Sequence, residues 1–327
     1  MDVSIAICTR NRAVSLARTL DSLTAMSIPD GLKWEVIVVN NGCSDNTDTV
    51  IARFRNRLPL YRQFEAAPGL SHARNRAVTA AKGAYIMWTD DDVIVDPGWL
   101  AAYAQAFRKW QDAALFGGKI IPLFEEPMPA WLRECWTLAG HAYAFRDFGD
   151  DPLPISVDRD PYGANFAVRT QEQRAYPYNP SLGAGARIPT GEETDIIVRM
   201  LKDGKSGYWV PGARVQHCTP HARQTLQYIR SYYRGQGWRR ALRDSDTARE
   251  PGSRPSAPRW LVPRLMATCC RYQLSRWTMP STIWMEHYIR YAFHQGQFDF
   301  HRSREIYPAG STAAFRVSSG AMSETSG

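Results

Sequence analysis

Ala84-Tyr85-Ile86-Met87-Trp88-Thr89-Asp90-Asp91-Asp92-Val93 is an apolar run of strand type that ends abruptly in three acids. A strand reading Tyr-Ile-Met-Trp with almost no polar break is expected to be buried on both faces, as central parallel strands are. Ligands of open α/β sheets sit at the carboxyl ends of such strands. Three adjacent carboxylates repel one another, so the chain needs a reason to keep them. A divalent cation is one reason, because hard cations take carboxylate oxygens. A solvated Asp-rich turn is the other.

The elements on either side repeat the strand-and-helix alternation. Val3 to Cys8 reads as a first strand, followed by the polar turn Thr9-Arg10-Asn11-Arg12 and a helical pattern through Leu16, Leu20 and Leu23. Trp34 to Val39 is a second continuous apolar run, ending in Asn40-Asn41-Gly42-Cys43-Ser44-Asp45. Asn-Gly signals a turn, and Ser44 or Asp45 is suited to cap the next helix, Thr47 to Arg57. Leu60 to Ala66 reads as a third strand, and Gly69 opens a helix to about Lys82 that Gly83 would close as a left-handed C-cap. After the acidic strand come a helix from Pro97 through Trp110 and a strand from Ala114 to Ile121. Short strands follow at 162–168, 207–211 and 214–217, with a helix from about Thr190 to Met200. This pattern predicts an α/β fold with a mainly parallel sheet flanked by helices. Neither a GxGxxG after the first strand nor a GxxxxGK[ST] is present, so neither a dinucleotide dehydrogenase nor a P-loop phosphotransferase is supported.

Bulk properties agree with a large globular chain. The 327 residues are 44% hydrophobic and 22% charged, enough for a sizeable core in one large domain with an appendage, or in two domains. No apolar stretch approaches the ~18–20 residues of a membrane span. The start runs almost directly into a strand without a basic leader, so no signal peptide is expected. Six scattered cysteines without a CxxC pair suit reduced thiols better than a disulfide framework or a zinc site. Charge is uneven. Residues 222–304 hold 15 arginines, no lysine and five acids, a net +10 in a chain of total +8, so the remainder sums to −2. A basic segment of this kind points to a membrane surface, an anionic substrate or nucleic acid.

Between 122 and 161 prolines and aromatics mix without periodicity, which fits either a substrate-facing loop or a packing loop. Beyond His221 the chain becomes Arg-rich and helical over 226–242, polar and Pro/Ser-rich over 244–258, and helical again over 260–294. The expected organisation is a catalytic domain over 1–221, a basic helical module over 222–306 with a linker near 244–258, and a disordered tail over 307–327.

Seven motifs recur in a fixed order: Cys8-Thr9-Arg10-Asn11-Arg12, Val39-Asn40-Asn41-Gly42-Cys43-Ser44-Asp45, Gly69-Leu70-Ser71-His72-Ala73-Arg74-Asn75, Thr89-Asp90-Asp91-Asp92, Gly163-Ala164-Asn165-Phe166, Gly191-Glu192-Glu193-Thr194-Asp195 and His217. Each is weak alone. The ordered set, over about residues 3–220, strongly resembles family-two glycosyltransferases, which have the GT-A fold. The resemblance implies inverting transfer of a sugar from a nucleoside-diphosphate donor to a hydroxyl, with Mn²⁺ or Mg²⁺ as cofactor. A departing diphosphate needs charge stabilisation and an attacking hydroxyl needs a carboxylate base.

Carried onto this chain, the resemblance makes Asp92 and His217 metal ligands. Asp90 would contact the donor ribose or metal-bound waters, with Asp91 beside it on the donor. Thr9, Arg10 and Asn11 would line the nucleotide pocket, and Arg74 would reach base or diphosphate, its alternative being a helix-surface arginine. The family often has Asp-Asp-Gly-Ser where this chain has Asn40-Asn41-Gly42-Cys43, so an acid that accepts from a uracil N3–H is missing. Asn41 can accept through its amide oxygen, which keeps a UDP-sugar as the expected donor. The base normally falls on the Asp of a Glu-Asp pair. Glu193 holds that place, one methylene longer, with Glu192 and Asp195 as alternatives. Asn165 and Trp131 are the acceptor-side candidates.

The expected acceptor is lipid-linked, a polysaccharide or another glycoconjugate. The expected location is cytoplasmic, peripheral at the inner face of the membrane. Within the basic module, Trp260, Leu261, Leu265, Trp277, Trp284 and Met285 beside arginines suit an interfacial helix on anionic lipid. Use of the arginines for an anionic acceptor or the donor diphosphate competes with that, and nucleic acid is not expected. Two other functions compete with transfer: a nucleotidyltransferase, for which the glycine-rich phosphate loop is lacking, and a non-catalytic sugar-nucleotide or glycan binder.

Overall fold

A computed structural model describes residues 1–186, 190–247 and 257–303. The predicted tail over 307–327 and most of the predicted linker lie outside these residues.

The first half is built as the apolar runs dictate. Strand β1 (Val3–Thr9) leads to helix α1 (Ala13–Thr24), then β2 (Trp34–Asn40), α2 (Thr47–Phe54), β3 (Leu60–Phe64), α3 (Leu70–Ala80) and β4 (Tyr85–Asp90). β1 pairs in parallel with β2 and β4, and β2 with β3. The side chains of Val3, Ile5, Ile7, Val36 and Val38 are fully buried, as expected for strands covered on both faces. Each such burial stabilises by about 1.5–3 kcal/mol.

A two-residue turn, Asp91-Asp92, joins β4 to the short β5 (Val93–Val95). Next come α4 (Trp99–Lys109), β6 (Leu115–Phe124), α5 (Ala130–Glu134), α6 (Trp136–Ala139), β7 (Phe166–Arg169), α7 (Thr170–Ala175), α8 (Glu192–Lys202) and β8 (Gly207–Thr219). The eight strands of the described residues run β3-β2-β1-β4-β7-β6-β8-β5. Parallel order holds from β3 to β4. Beyond it β4–β7, β7–β6 and β8–β5 are antiparallel, so the sheet is mixed.

Two local expectations change. The two strands predicted at 207–211 and 214–217 are one, because Pro211 favours the extended backbone a strand needs. Gly83 is not a left-handed cap, since its φ is not positive. It is glycine because a Cβ there would lie 2.4 Å from the Ser4 amide nitrogen. Its amide instead joins the Lys82 amide on the hydroxyl of Ser4, which itself donates to buried Glu35 at 2.7 Å.

The chain forms two compact units. Among the described residues, one holds 1–122 and 146–218, the other 123–145 and 219–303. The aromatic stretch thus belongs in large part with the basic module. There Leu132, Cys135, Ala139 and Tyr143 share an apolar cluster with Ile229, Tyr272, Met285, Tyr288 and Ile289.

The helical unit is completed by α9 (Leu226–Thr247), α10 (Leu261–Thr278) and α11 (Ser281–Arg302). α9 runs through the Gly235-Gln236-Gly237 stretch without a break, because Gly237 lets it touch α11. A Cβ on Gly237 would sit 1.8 Å from the Phe293 carbonyl oxygen, and one on Gly296 1.8 Å from that of Arg234. Gly235 faces open space. Gly237→Ala is therefore expected to cost about 3 kcal/mol, because backbone rather than a side chain must yield. Gly235→Ala should gain up to about 1 kcal/mol from helix propensity. Chemical denaturation followed by helical circular dichroism reads both, and equal midpoints for the pair would refute the close-packing account.

Candidate active site

The end of β4 distributes its acids in three directions. Asp90 is half-buried, whereas Asp91 and Asp92 are buried. Pairing of Val93 with His217 in the β5–β8 ladder brings the histidine to the acidic turn, and the Cys218 amide donates to the Asp92 carbonyl at 2.8 Å. His217 Nε2 lies 3.4 Å from Asp92 Oδ1. One ligand atom each from Asp90, Asp92 and His217 falls within 4.8 Å of the others. Two carboxylates and an imidazole suit Mn²⁺ or Mg²⁺, so the residues present fit the cation that the resemblance implies.

Asp91 turns the other way. It accepts from the Thr9 hydroxyl at 2.7 Å and meets Arg12 Nη1 at 3.0 Å. Burial, opposed by Arg12 and the Thr9 bond, pushes its pKa up to about 7. The same arginine donates through Nη2 to Asp92 Oδ2 at 2.7 Å. Arg12 thus spans two adjacent acids and orients the carboxylate whose other oxygen faces His217. Arg12 stands in the quoted turn but received no role from its sequence; its signal was only three residues of spacing from Thr9. Thr9 and Asp91, expected to contact donor, instead spend their polar atoms on each other and on Arg12.

Arg74 is not a helix-surface residue. It is 2% exposed, with its guanidinium 5.5 Å from the Trp88 ring and 5.3 Å from that of Tyr178. Nη2 lies 3.6 Å from both Asp90 Oδ1 and Glu192 Oε1. Burial works against its charge, yet Tyr178, Glu192, Asp90 and Glu193 hold its pKa above the ordinary value. Gly163 gives it room, since a Cβ there would lie 2.5 Å from Nη2. Arg74 is therefore the cation that links the acidic strand end to the first turn of α8.

In that turn the three acids part company. Glu192 is buried, and desolvation together with the charge of Glu193 raises its pKa. Asp195 is ion-paired with Arg199 one turn along the helix at 2.9 Å, which takes it out of the candidates for the base. Glu193 is half-buried and accepts a long bond from the Gly163 amide, 3.3 Å. Asp160, which sequence reasoning missed, braces this turn. It accepts from the Thr194 hydroxyl at 3.1 Å and pairs with Arg146.

Two more of the expected contact residues are engaged by the protein itself. Asn41 donates to the carbonyls of Glu65 and Ala67 and accepts from the Gly69 amide, so its buried amide shapes the 65–69 turn. Asn165 is fully buried. Its amide oxygen accepts from Trp99 and Tyr103 at 2.8 and 2.9 Å, and its nitrogen donates to the Lys119 and Ala213 carbonyls. No atom is left for an acceptor. Arg10 and Asn11 are exposed on the β1–α1 turn, where Asn11 adopts φ 54° and accepts from the Ser44 amide at 2.8 Å. Trp131 belongs to the helical unit and packs on its apolar cluster.

Residues 4–128 match the family model described as Glycosyl transferase family 2. Over residues 4–128 this chain carries a family 2 glycosyltransferase domain. The glycosyltransferase is 26% identical over 234 residues to the succinoglycan biosynthesis protein ExoM of Rhizobium meliloti (strain 1021), covering 70% of this chain and 71% of that one. Among solved structures it resembles the mannosyltransferase PcManGT from Pyrobaculum calidifontis in complex with GDP-Man and Mn²⁺. The TM-score is 0.58 at 16% identity, covering 93% of this chain and 88% of that one. S. aureus TarS 1–349 in complex with UDP gives 0.53 at 13% identity, over 94% and 95%. Likeness at these identities establishes the GT-A fold. The enzyme therefore transfers sugar from a nucleotide-sugar donor on a mixed sheet of GT-A type. No helix of its described residues is long and apolar enough to cross a membrane.

Proposed function

We propose that the enzyme is a metal-dependent inverting transferase that moves a sugar from a nucleoside-diphosphate sugar to a hydroxyl of a lipid-linked, polysaccharide or other glycoconjugate acceptor, working at the inner face of a membrane. The observation that carries this is the gathering of Asp90, Asp92 and His217 at one strand end, joined through Arg74 to the turn that bears Glu193. The polysaccharide acceptor rests on the resemblance to a succinoglycan biosynthesis protein.

Mn²⁺ or Mg²⁺ held by Asp90, Asp92 and His217 would supply Lewis-acid stabilisation of the departing diphosphate. The remainder of the chemistry belongs to the chain. Glu193 takes the proton of the acceptor hydroxyl, whose oxygen bonds to the anomeric carbon. The bond from that carbon to the diphosphate oxygen breaks on the far side, and the diphosphate leaves with the electron pair. A single displacement inverts the anomeric centre. Glu192 is committed to Arg74 and Asp195 to Arg199, which leaves one carboxylate of the turn for the base and none for a covalent intermediate. Arg74 opposes the burial that raises the pKa values of Asp90 and Glu192, and Arg12 holds Asp92 in place.

With Asn41 engaged by backbone, the base of the donor is open to direct test. UDP- and GDP-sugars are the leading candidates because the two structural relatives bind UDP and GDP-Man. Thermal denaturation against UDP-, GDP- and dTDP-sugars, each with and without Mn²⁺, should raise the midpoint for one nucleotide class, and more with metal than without. No stabilisation by any of them would overturn the donor proposal.

A further inference from the structure

We propose that helix α10 lies in the interface of an anionic lipid surface and docks the enzyme there. This deepens the peripheral placement proposed above and gives that placement a residue-level surface.

The argument begins with where apolar side chains are exposed. Of thirteen large hydrophobic side chains exposed among the described residues, seven fall between Trp260 and Ile283. Four of these share one face of α10. Val262, Met266, Leu274 and Trp277, with Cys270 between them, recur at spacings of three and four, and Met266, Leu274 and Trp277 are 63%, 72% and 79% exposed. The opposite face carries Leu261, Thr268, Tyr272 and Ser275, which are buried. With exposed Gln273 as the polar exception, α10 is thus largely apolar on its outer side, where a helix of a soluble surface carries polar residues.

Charge decides the occupant. At 3.6 residues per turn, Arg264 and Arg271 lie to one side of the outer stripe, roughly 140° and 120° from its centre, and Arg276 lies roughly 100° to the other. All three are exposed, as is Arg259 just ahead of the helix. The sequence from 251 to 285 contains five arginines and no acid or lysine. Arg264 sits 5.2 Å from the Trp260 ring and Arg276 5.1 Å from the Trp277 ring, so each end of the helix presents a tryptophan with a guanidinium beside it. An apolar stripe flanked by cations, with tryptophans at both ends, complements anionic headgroups above an acyl boundary. A second copy of this face would set arginine against arginine with no acid to relieve them.

The full chain is mixed with vesicles of phosphatidylcholine alone, and with vesicles containing roughly 30% phosphatidylglycerol, at about 0.15 M salt, and sedimented. The wild-type chain should partition to the anionic vesicles at least about tenfold better than to neutral ones, and salt should release it. The exposed double substitution Leu274→Glu, Trp277→Glu should weaken that partition by about tenfold or more while helical circular dichroism and the donor-induced thermal shift stay as in wild type. The triple change Arg264→Gln, Arg271→Gln, Arg276→Gln should lose the preference for anionic vesicles. Wild-type chain that ignores vesicle charge, or a glutamate variant that sediments like wild type, overturns the proposal. So does a dimer in sedimentation equilibrium that the glutamate variant abolishes, which would give the face to a second copy. Vesicle binding without any response to nucleotide sugars supports the docking face and counts against the transfer proposal alone.

Discussion

Glu193→Gln is expected to lower kcat by about 10²- to 10⁴-fold while leaving the donor-induced thermal shift unchanged. The two readouts separate because Glu193 is proposed to act on the acceptor hydroxyl, not on the nucleotide. Its carboxylate accepts a long bond from the Gly163 amide at 3.3 Å, and an amide of the same shape fits in its place without a steric penalty. It would still accept that bond, yet it could not take a proton. Glu192→Gln should behave differently. Glu192 is buried against Arg74, so its neutralisation perturbs the arginine and through it Asp90, and the donor response should fall with activity. Glu193→Asp restores the shorter acid usual at this place and should retain measurable turnover. Unchanged turnover in Glu193→Gln would remove the residue from the base role and leave the transfer without one in this turn.

What could be read in advance follows from the range of the interactions involved. β1, β2 and β4 were legible because continuous apolar runs are a local signal, and the acidic end of β4 announced itself by charge. His217 is different. Its approach to Asp92 depends on the β5–β8 register, between segments far apart in sequence, so only the ordered family motifs pointed to it. Thr9, Asn41 and Asn165 have protein partners that their motifs did not announce, for one shared reason. A motif marks a position that is needed, but not whether ligand or scaffold needs it. All three are small polar side chains that satisfy buried partners, and a buried polar group left unpaired costs about 1–3 kcal/mol. Gly237 was equally opaque: a glycine inside a helix pattern signals a break locally, while its reason lies on α11.

Replacing Arg74 with Met should destabilise the catalytic unit by about 3–5 kcal/mol above pH ~8, where the partner acids are ionised, because removing one member of a buried ionic cluster leaves the others uncompensated. Met preserves much of the volume between Trp88, Phe166 and Tyr178, so the loss reports charge more than packing. The pH dependence identifies which charge. Burial and Glu193 already raise the Glu192 pKa, with Arg74 opposing. A carboxyl whose folded pKa lies above its unfolded one binds more protons when folded, so its contribution to stability falls as pH rises between the two values. Without Arg74 the folded value climbs further and the upper edge of that window moves to higher pH. The folded Glu192 pKa is already about 8 with Arg74 present, so the deficit of Arg74→Met should be smallest near pH 5, where Glu192 is protonated in both proteins, and should grow only above about pH 8. A second change, Glu192→Gln, should recover part of the loss above that, at about pH 9, and little at about pH 5. Urea midpoints of the two single variants and the double at both pH values measure this coupling. A deficit independent of pH would mean that Arg74 serves as packing among three rings and not as the cation between the two acidic groups.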